Sequence, residues 1–206
     1  MGNEHEYALI GGLNRASIGR VLATIAAAIS ALLVFLLLSL VDFASRYELN
    51  PNIPPSIFSL IGAGAVYTAL YVLFSRFIWK WDLVSKYLKV PDMTGNWHCK
   101  GQSSWQSDQE WSGRVAISQN WDKIFVVLET DGSRSESISA ALLSEGTGGY
   151  RLLYHYRNDP RTINDELRAH HGFVDLVVDA DLQRAQGVYF TGRGRVTHGT
   201  MVWERQ

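Results

Sequence analysis

Three short stretches in the C-terminal half of this 206-residue chain set stacking and hydrogen-bonding side chains at every second position. Leu152, Tyr154, Tyr156 and Asn158 alternate along one, His170, Gly172, Val174 and Leu176 along another, and Tyr189, Thr191 and Arg193 along a third. Alternate residues of a β-strand share a face, so each set would form a continuous chemical surface. Tyrosine and tryptophan rings stack on nucleobases, and arginine gives phosphate charge-assisted hydrogen bonds. A fatty ligand would want plain aliphatic walls, so this mixture suits a small nucleotide better. Trp97 shares a face with Gly95 and Cys99. Ser133, Ser135 and Ser137 make a same-face hydroxyl row that serves phosphate binding or ordinary strand polarity equally well.

Other chemistry finds less support. His155, His170 and His171 have no ligand spacing, and neighbouring histidines on a strand point to opposite faces, so no metal site is expected. No serine sits in a nucleophile elbow and Cys99 has no identifiable partner base, so neither catalysis nor a cofactor is expected. Thr191-Gly192-Arg193-Gly194-Arg195 lacks the strand-to-helix setting of a dinucleotide fingerprint. Turn glycines explain it, while Arg193 continues the face of Tyr189 and Thr191. Asp175, Asp179 and Asp181 read as solvated charges. A single cysteine excludes an internal disulfide. Residues 94–206 carry 12 Lys plus Arg against 14 Asp plus Glu, which does not suit a surface for polymeric nucleic acid.

Strands must position these residues. After Pro91, β-branched and alternating segments recur at roughly ten-residue spacing between Gly, Asp, Asn and Ser clusters, as in a sandwich or barrel. The expected strands are Gly95–Lys100, Glu110–Ser118, Lys123–Thr130, Ser135–Leu143, Tyr150–Arg157, Ala169–Val178, Gly187–Thr191 and Gly199–Arg205. Asn120 to Asp122, Thr130 to Ser133, Gly146 to Gly149 and Gly192 to Thr197 are short enough for hairpins. The pattern predicts an eight-stranded, up-and-down antiparallel barrel, with its last strand closed on its first to remove both edges. Such a barrel is filled by side chains or holds one small ligand. Asn158 to Arg168 is the long connection, with a helical turn expected at Ile163 to Leu167 over one mouth.

The N-terminal half has a different character. Val21 to Val41 and Leu49 to Ser75 contain no charged residue, and about 20 apolar residues cross a bilayer core. Two transmembrane helices are expected, over 21–41 and 56–75. The first run exceeds the roughly 7 to 15 residues of a signal-peptide core and ends at Asp42 without a small-x-small site. Pro54 and Pro55 suit the start of the second. Arg15 and Arg20 precede the spans and Arg76, Lys80, Lys86 and Lys89 follow, while the connection holds only Arg46, so both termini are expected in the cytoplasm. Trp79, Trp81 and Tyr87 fit a headgroup belt, and Phe77 to Val90 fits a short amphipathic helix lying along the membrane. Ala23, Ala27 and Ala31 stack on one face, with Ala26 and Ser30 nearby. That face suits close packing against the second span or between subunits.

Gly95-Asn96-Trp97, Ile117-Ser118-Gln119-Asn120-Trp121, Tyr156-x-Asn158-x-Pro160, His170-x-Gly172 and Tyr189-Phe190-Thr191-x-Arg193 follow the two spans in that order. Together they resemble the two-transmembrane β-barrel effectors associated with CD-NTases in bacterial CBASS antiphage defence. The resemblance implies a lipocalin-like barrel that binds a cyclic dinucleotide as a regulatory ligand. It further implies homo-oligomerisation of the transmembrane helices, inner-membrane disruption and abortive infection. It assigns ligand contacts to Trp121, Tyr156, Asn158, His170, Tyr189, Thr191 and Arg193, and structural roles to Gly95 and Trp97.

The expected organisation is therefore a cytoplasmic segment 1–20, transmembrane helices within 21–75, a juxtamembrane linker 76–93 and a β-barrel ligand-binding domain 94–206. The alternative function is a constitutive, membrane-anchored carrier of lipid or another small apolar ligand.

Overall fold

The computed structural model describes residues 4–47, 53–104, 109–145, 149–160, 169–192 and 196–206. It divides into a helical unit, Leu13–Trp79, and a β unit formed by Met1–Gly12 together with Lys80–Gln206.

In the helical unit, α1 runs from Arg15 to Ser45, and the Asn14 side chain caps it by accepting from the Ala16 N–H at 2.8 Å. Its 31 residues make it roughly 46 Å long at about 1.5 Å per residue, more than a bilayer core requires. Among the described residues it is the one helix long and apolar enough to cross a membrane by itself. The second expected span is not continuous: α2 (Pro55–Leu60) and α3 (Ala63–Arg76) flank a break at Ile61 and Gly62. Gly62 is extended (φ −61, ψ 149) and starts α3 afresh. The Ile61 carbonyl instead accepts the Ser30 hydroxyl of α1 at 2.5 Å. Leu22, Ala26 and Ser30 form the buried face of α1, whereas Ala23, Ala27 and Ala31 are exposed. Trp79 is buried, unlike its expected belt partners Trp81 and Tyr87.

The β unit begins with an element the sequence reading missed. β1 (His5–Ile10) precedes α1, yet it lies in one sheet with β2 (Gly95–Ser103), β3 (Gln109–Gln119), β4 (Lys123–Glu129), β5 (Ser133–Ser144), β6 (Tyr150–Pro160), β7 (His170–Val178), β8 (Arg184–Gly192) and β9 (His198–Arg205). Between the helices and β2, α4 (Asp82–Leu88) ends at Lys89, whose left-handed backbone (φ 57) stops it. Neighbouring strands from β2 to β9 pair antiparallel in sequence order, and β9 returns to β2 from Trp97↔Arg205 to Ser103↔Gly199.

The strands therefore close into a ring of nine, not eight. β4 and β5 pair directly only from Val127↔Glu136 to Glu129↔Arg134. A register shift between Ser137 and Ser139 then turns β5 away. β1 fills the split, antiparallel to β4 at His5↔Ile124 and Glu6↔Lys123 and parallel to β5 from Tyr7↔Ala140 to Ile10↔Leu143. Residues 1–20 are consequently not one separate segment. Where the β4–β5 ladder fails, the Ser137 hydroxyl accepts the Val126 N–H at 2.9 Å and meets His5 Nε2 at 2.7 Å.

One end of the ring is filled. Trp97, Trp203, Leu152, Leu176, Ile124 and Met93 are fully buried there. The Trp97 indole donates to the Met93 carbonyl at 3.2 Å. Gln119 joins the two chain entries to this end. Its amide nitrogen donates to Tyr7 Oη at 3.3 Å and to the Pro91 carbonyl at 3.1 Å, and its oxygen accepts the Met93 N–H at 2.8 Å.

Candidate functional site

At the opposite end the filling is incomplete, leaving a cavity of about 220 Å³. Tyr154, Tyr156 and Asn158 reach it from β6, His170 and Val174 from β7, Tyr189 and Thr191 from β8, Ser133 and Ser135 from β5, and Trp111 from β3. The two-residue period directs these positions inward while Arg157, His171 and Phe190 point out.

Three aromatic side chains are accommodated by glycines directly across the sheet. Trp111 pairs with Gly101, Tyr156 with Gly172 and Tyr189 with Gly199. A methyl group at those glycines would come within 2.2, 2.4 and 2.7 Å of the respective rings. The absent Cβ atoms are what let the rings lie against the inner wall.

Polar groups between the rings are mutually satisfied. Asn158 Nδ2 donates to Ser135 Oγ at 2.7 Å and to Ser133 Oγ at 3.0 Å. Thr191 Oγ1 accepts the Thr197 N–H at 2.9 Å and meets the Thr197 hydroxyl at 2.9 Å. Tyr156 and His170 approach edge-on, with centroids 6.3 Å apart. Burial pushes the Tyr154 hydroxyl well above the usual tyrosine range, so it stays a neutral donor. Among the described residues, the lining contains no Asp, Glu, Lys or Arg. It offers flat rings and hydrogen-bonding side chains, with no carboxylate among the described residues to repel an anion.

The structure brings together Tyr156, Asn158, His170, Tyr189 and Thr191 of the seven residues expected at the ligand. Arg193 lies outside the described residues, as does Ile163 to Leu167. Trp121 is not at the cavity. It is buried in the β3–β4 turn, where the Asn120 N–H donates to the Lys123 carbonyl, whereas β3 borders the cavity at its other end through Gln109 and Trp111. Trp111 and Ser103 line the cavity without having been singled out from sequence. For Trp111 the signal was present, since it shares a face with Val115 and Ile117. His155 and His171 stack on the outer wall at 5.3 Å while His170 faces inward, and the described residues contain no cluster of three or more potential metal ligands.

Fold and cavity define a class: a β ring with an aromatic and polar cavity at one end, in one chain with a membrane-type helix. Residues 88–205 match the family model described as the Cap15 cyclic dinucleotide receptor domain, and residues 16–80 match the Cap15 TM helices. The chain is also 41% identical over 201 residues to CD-NTase-associated protein 15 of Yersinia aleksiciae, covering 98% of this chain and 97% of that protein. The chain belongs to the Cap15 family. This is the family of receptor effectors that the sequence motifs resembled, and its two matched domains describe a receptor and membrane helices, not an enzyme.

Proposed function

We propose that the ring is a lipocalin-like barrel whose cavity binds a cyclic dinucleotide second messenger. Binding drives oligomerisation of the transmembrane helices and disruption of the bacterial inner membrane, which ends an infection at the cost of the cell. The observation that carries this reading is the cavity lining, where Trp111, Tyr156 and Tyr189 offer base-sized faces beside the Asn158, Ser133 and Ser135 hydrogen-bonding cluster. At about 220 Å³ the cavity is smaller than the roughly 300–1,000 Å³ of sites for drug-sized ligands. One base with its ribose enters, and the rest of the ligand stays at the mouth. Ligand contacts are assigned to Tyr156, Asn158, His170, Tyr189 and Thr191, joined by Trp111, with Arg193 as a phosphate contact.

Two membrane crossings with both termini in the cytoplasm are supported by the ring itself. β1 and β2 to β9 are hydrogen-bonded in one sheet, so all nine strands lie on the same side of any bilayer. The chain between them crosses an even number of times. α1 supplies one crossing and the broken α2–α3 segment the other, and the basic residues outside the spans favour the cytoplasmic side. A ligand drives assembly only by binding the assembled state more tightly.

The test uses the full chain in lipid nanodiscs, with each 3′,3′-linked cyclic dinucleotide built from A, G, C and U. A ligand at 100 times its Kd stabilises the folded state by about 2.7 kcal/mol, which a thermal melt resolves. Stabilisation by at least one member, together with dye leakage from vesicles carrying the chain, is the expected result. No shift with any member at saturation overturns the receptor reading. Co-purified lipid in the cavity would favour the constitutive carrier.

A further inference from the structure

α4 has two unlike sides. On one, Leu88 is buried and Ser85 Oγ donates to the Val90 carbonyl at 2.8 Å. A methyl group on Gly12 would come within 3.0 Å of the Leu88 carbonyl, so the chain leaving β1 packs against this side too. Lys80 Nζ reaches Asp92 at 3.2 Å and Thr94 Oγ1 at 3.0 Å, and the Met93 N–H donates to Gln119 Oε1 at 2.8 Å. These contacts fix α4 to the filled end of the ring. On the other side Leu83 and Tyr87, one helical turn apart and so on one face, are 85% and 74% exposed, and Trp81 at the N-cap is 62% exposed.

We propose that this face, made by Trp81, Leu83 and Tyr87, lies in the headgroup region of the bilayer and seats the ring on the membrane by its filled end. Three observations select lipid as the occupant. Residues 16–80 match the Cap15 TM helices, so Trp81 directly follows a segment that meets lipid already. Tryptophan and tyrosine, with an apolar body and a polar edge, are the side chains enriched at a membrane–water boundary. The patch is also too small for a protein partner, with three side chains at a seven-residue helix against roughly 20–30 residues a side in a stable interface. Lipid asks for less, because the spans already hold α4 near the surface. Charge adds little. Lys86 and Lys89 outnumber Asp82 by one, while the turns and strand ends at the filled end carry Asp122, Asp179 and Asp181 with Lys123 and Arg184. The contact is therefore apolar, confined to α4, and does not require anionic lipid. Seated in this way, the ring turns its cavity away from the lipid and toward the water in which a soluble messenger diffuses.

This inference rests on the reading of the helices as membrane spans, and its test separates the two. Cys99, the single cysteine, is buried, so an introduced surface cysteine alone takes a thiol label. Full-length Leu83→Cys, Leu32→Cys and Gln102→Cys chains, each carrying the fluorophore NBD, are placed in phosphatidylcholine nanodiscs. Leu32 lies in the middle of α1, and Gln102 adjoins Ser103 at the cavity end of the ring. Lipid bearing a nitroxide near the headgroup should quench the Leu83→Cys label several-fold more than the Gln102→Cys label, and aqueous iodide should quench it several-fold less. Adding Trp81→Ser and Tyr87→Ser should bring it to the Gln102→Cys level at an unchanged melting temperature. Equal quenching of the two labels by both agents, or a Leu83→Cys label unmoved by the two serines, overturns the docking face. Shielding from iodide without quenching by nitroxide lipid assigns the face to a second copy of the chain and overturns it equally. A Leu32→Cys label that iodide reaches and nitroxide acyl chains do not instead overturns the reading of α1 as a span, whatever the Leu83→Cys label shows.

Discussion

The Trp111 indole N–H donates to the Tyr189 phenol oxygen at 3.2 Å, and the two rings meet edge to face with centroids 5.8 Å apart. The pair spans the inside of the ring from β3 to β8, joining strands that are not neighbours. It holds two flat surfaces at the cavity before any ligand arrives.

Trp111→Ala should weaken cyclic dinucleotide binding by about 1–3 kcal/mol, the range for one base stacked on an aromatic side chain. Tyr189→Phe removes only the acceptor and should cost less. Isothermal titration of the full chain measures both, and equal affinities across wild type and Trp111→Ala would remove Trp111 from the site.

Asn158→Asp separates charge from packing. The Ser133 and Ser135 hydroxyls, now acceptors from Asn158, can turn to donate to a carboxylate, so the fold should survive with little change in melting temperature. An anion placed in a lining whose described residues include no carboxylate should lower the affinity for a phosphodiester at least tenfold, about 1.4 kcal/mol. Raising salt should recover part of that loss.

Gly172→Ala inserts a methyl 2.4 Å from the Tyr156 ring and 2.6 Å from the Phe190 carbonyl. Overpacking of this sort costs about 1–3 kcal/mol, and displacement of Tyr156 should weaken binding as well. A melt and a titration of the same sample check both effects.

Tyr7→Ala should destabilise the β unit by about 3–5 kcal/mol, as for other large-to-small aromatic losses, because Tyr7 is only 2% exposed and its hydroxyl donates to the Asn120 carbonyl at 3.2 Å. Hydrogen exchange should rise first at Lys123, Ile124 and Ala140 to Leu143, the residues that flank β1. Uniform exchange across the ring would contradict a locally seated strand.

Burial pushes the Cys99 thiol up to about 12. The unfolded chain ionises this group near pH 9 while the folded chain keeps its proton, so U binds fewer protons than N and stability falls as pH rises from about 9 towards 12. Below pH 9 the effect vanishes. Melting temperatures from pH 8 to 11 should therefore fall more steeply in wild type than in Cys99→Ala.

Local alternation made much of this legible in sequence. The two-residue period puts Tyr156 with Asn158 on one face of β6, His170 on one face of β7 and Tyr189 with Thr191 on one face of β8, and the structure turns these three faces toward one cavity. Trp121 was carried over from a motif, and motif membership does not say at which end of β3 a residue lies. The break at Gly62 had a local sign in Gly62 and Gly64, but apolar content outweighed it. β1 had none: its six residues are joined to their partners by no turn, and what seats them is the bulge in β5 more than a hundred positions away.

β1 also dictates an order of events. Tyr7 leaves the ribosome 133 residues before its partner Ala140, an interval of roughly 7 to 27 s at about 5–20 residues per second. On the proposed topology, the intervening helices enter the lipid in that time while the leading strand stays behind and unattached. The first strand to be made is thus among the last to find its seat, and any newborn chain whose amino terminus is carried across the bilayer is left with a permanent gap in its wall.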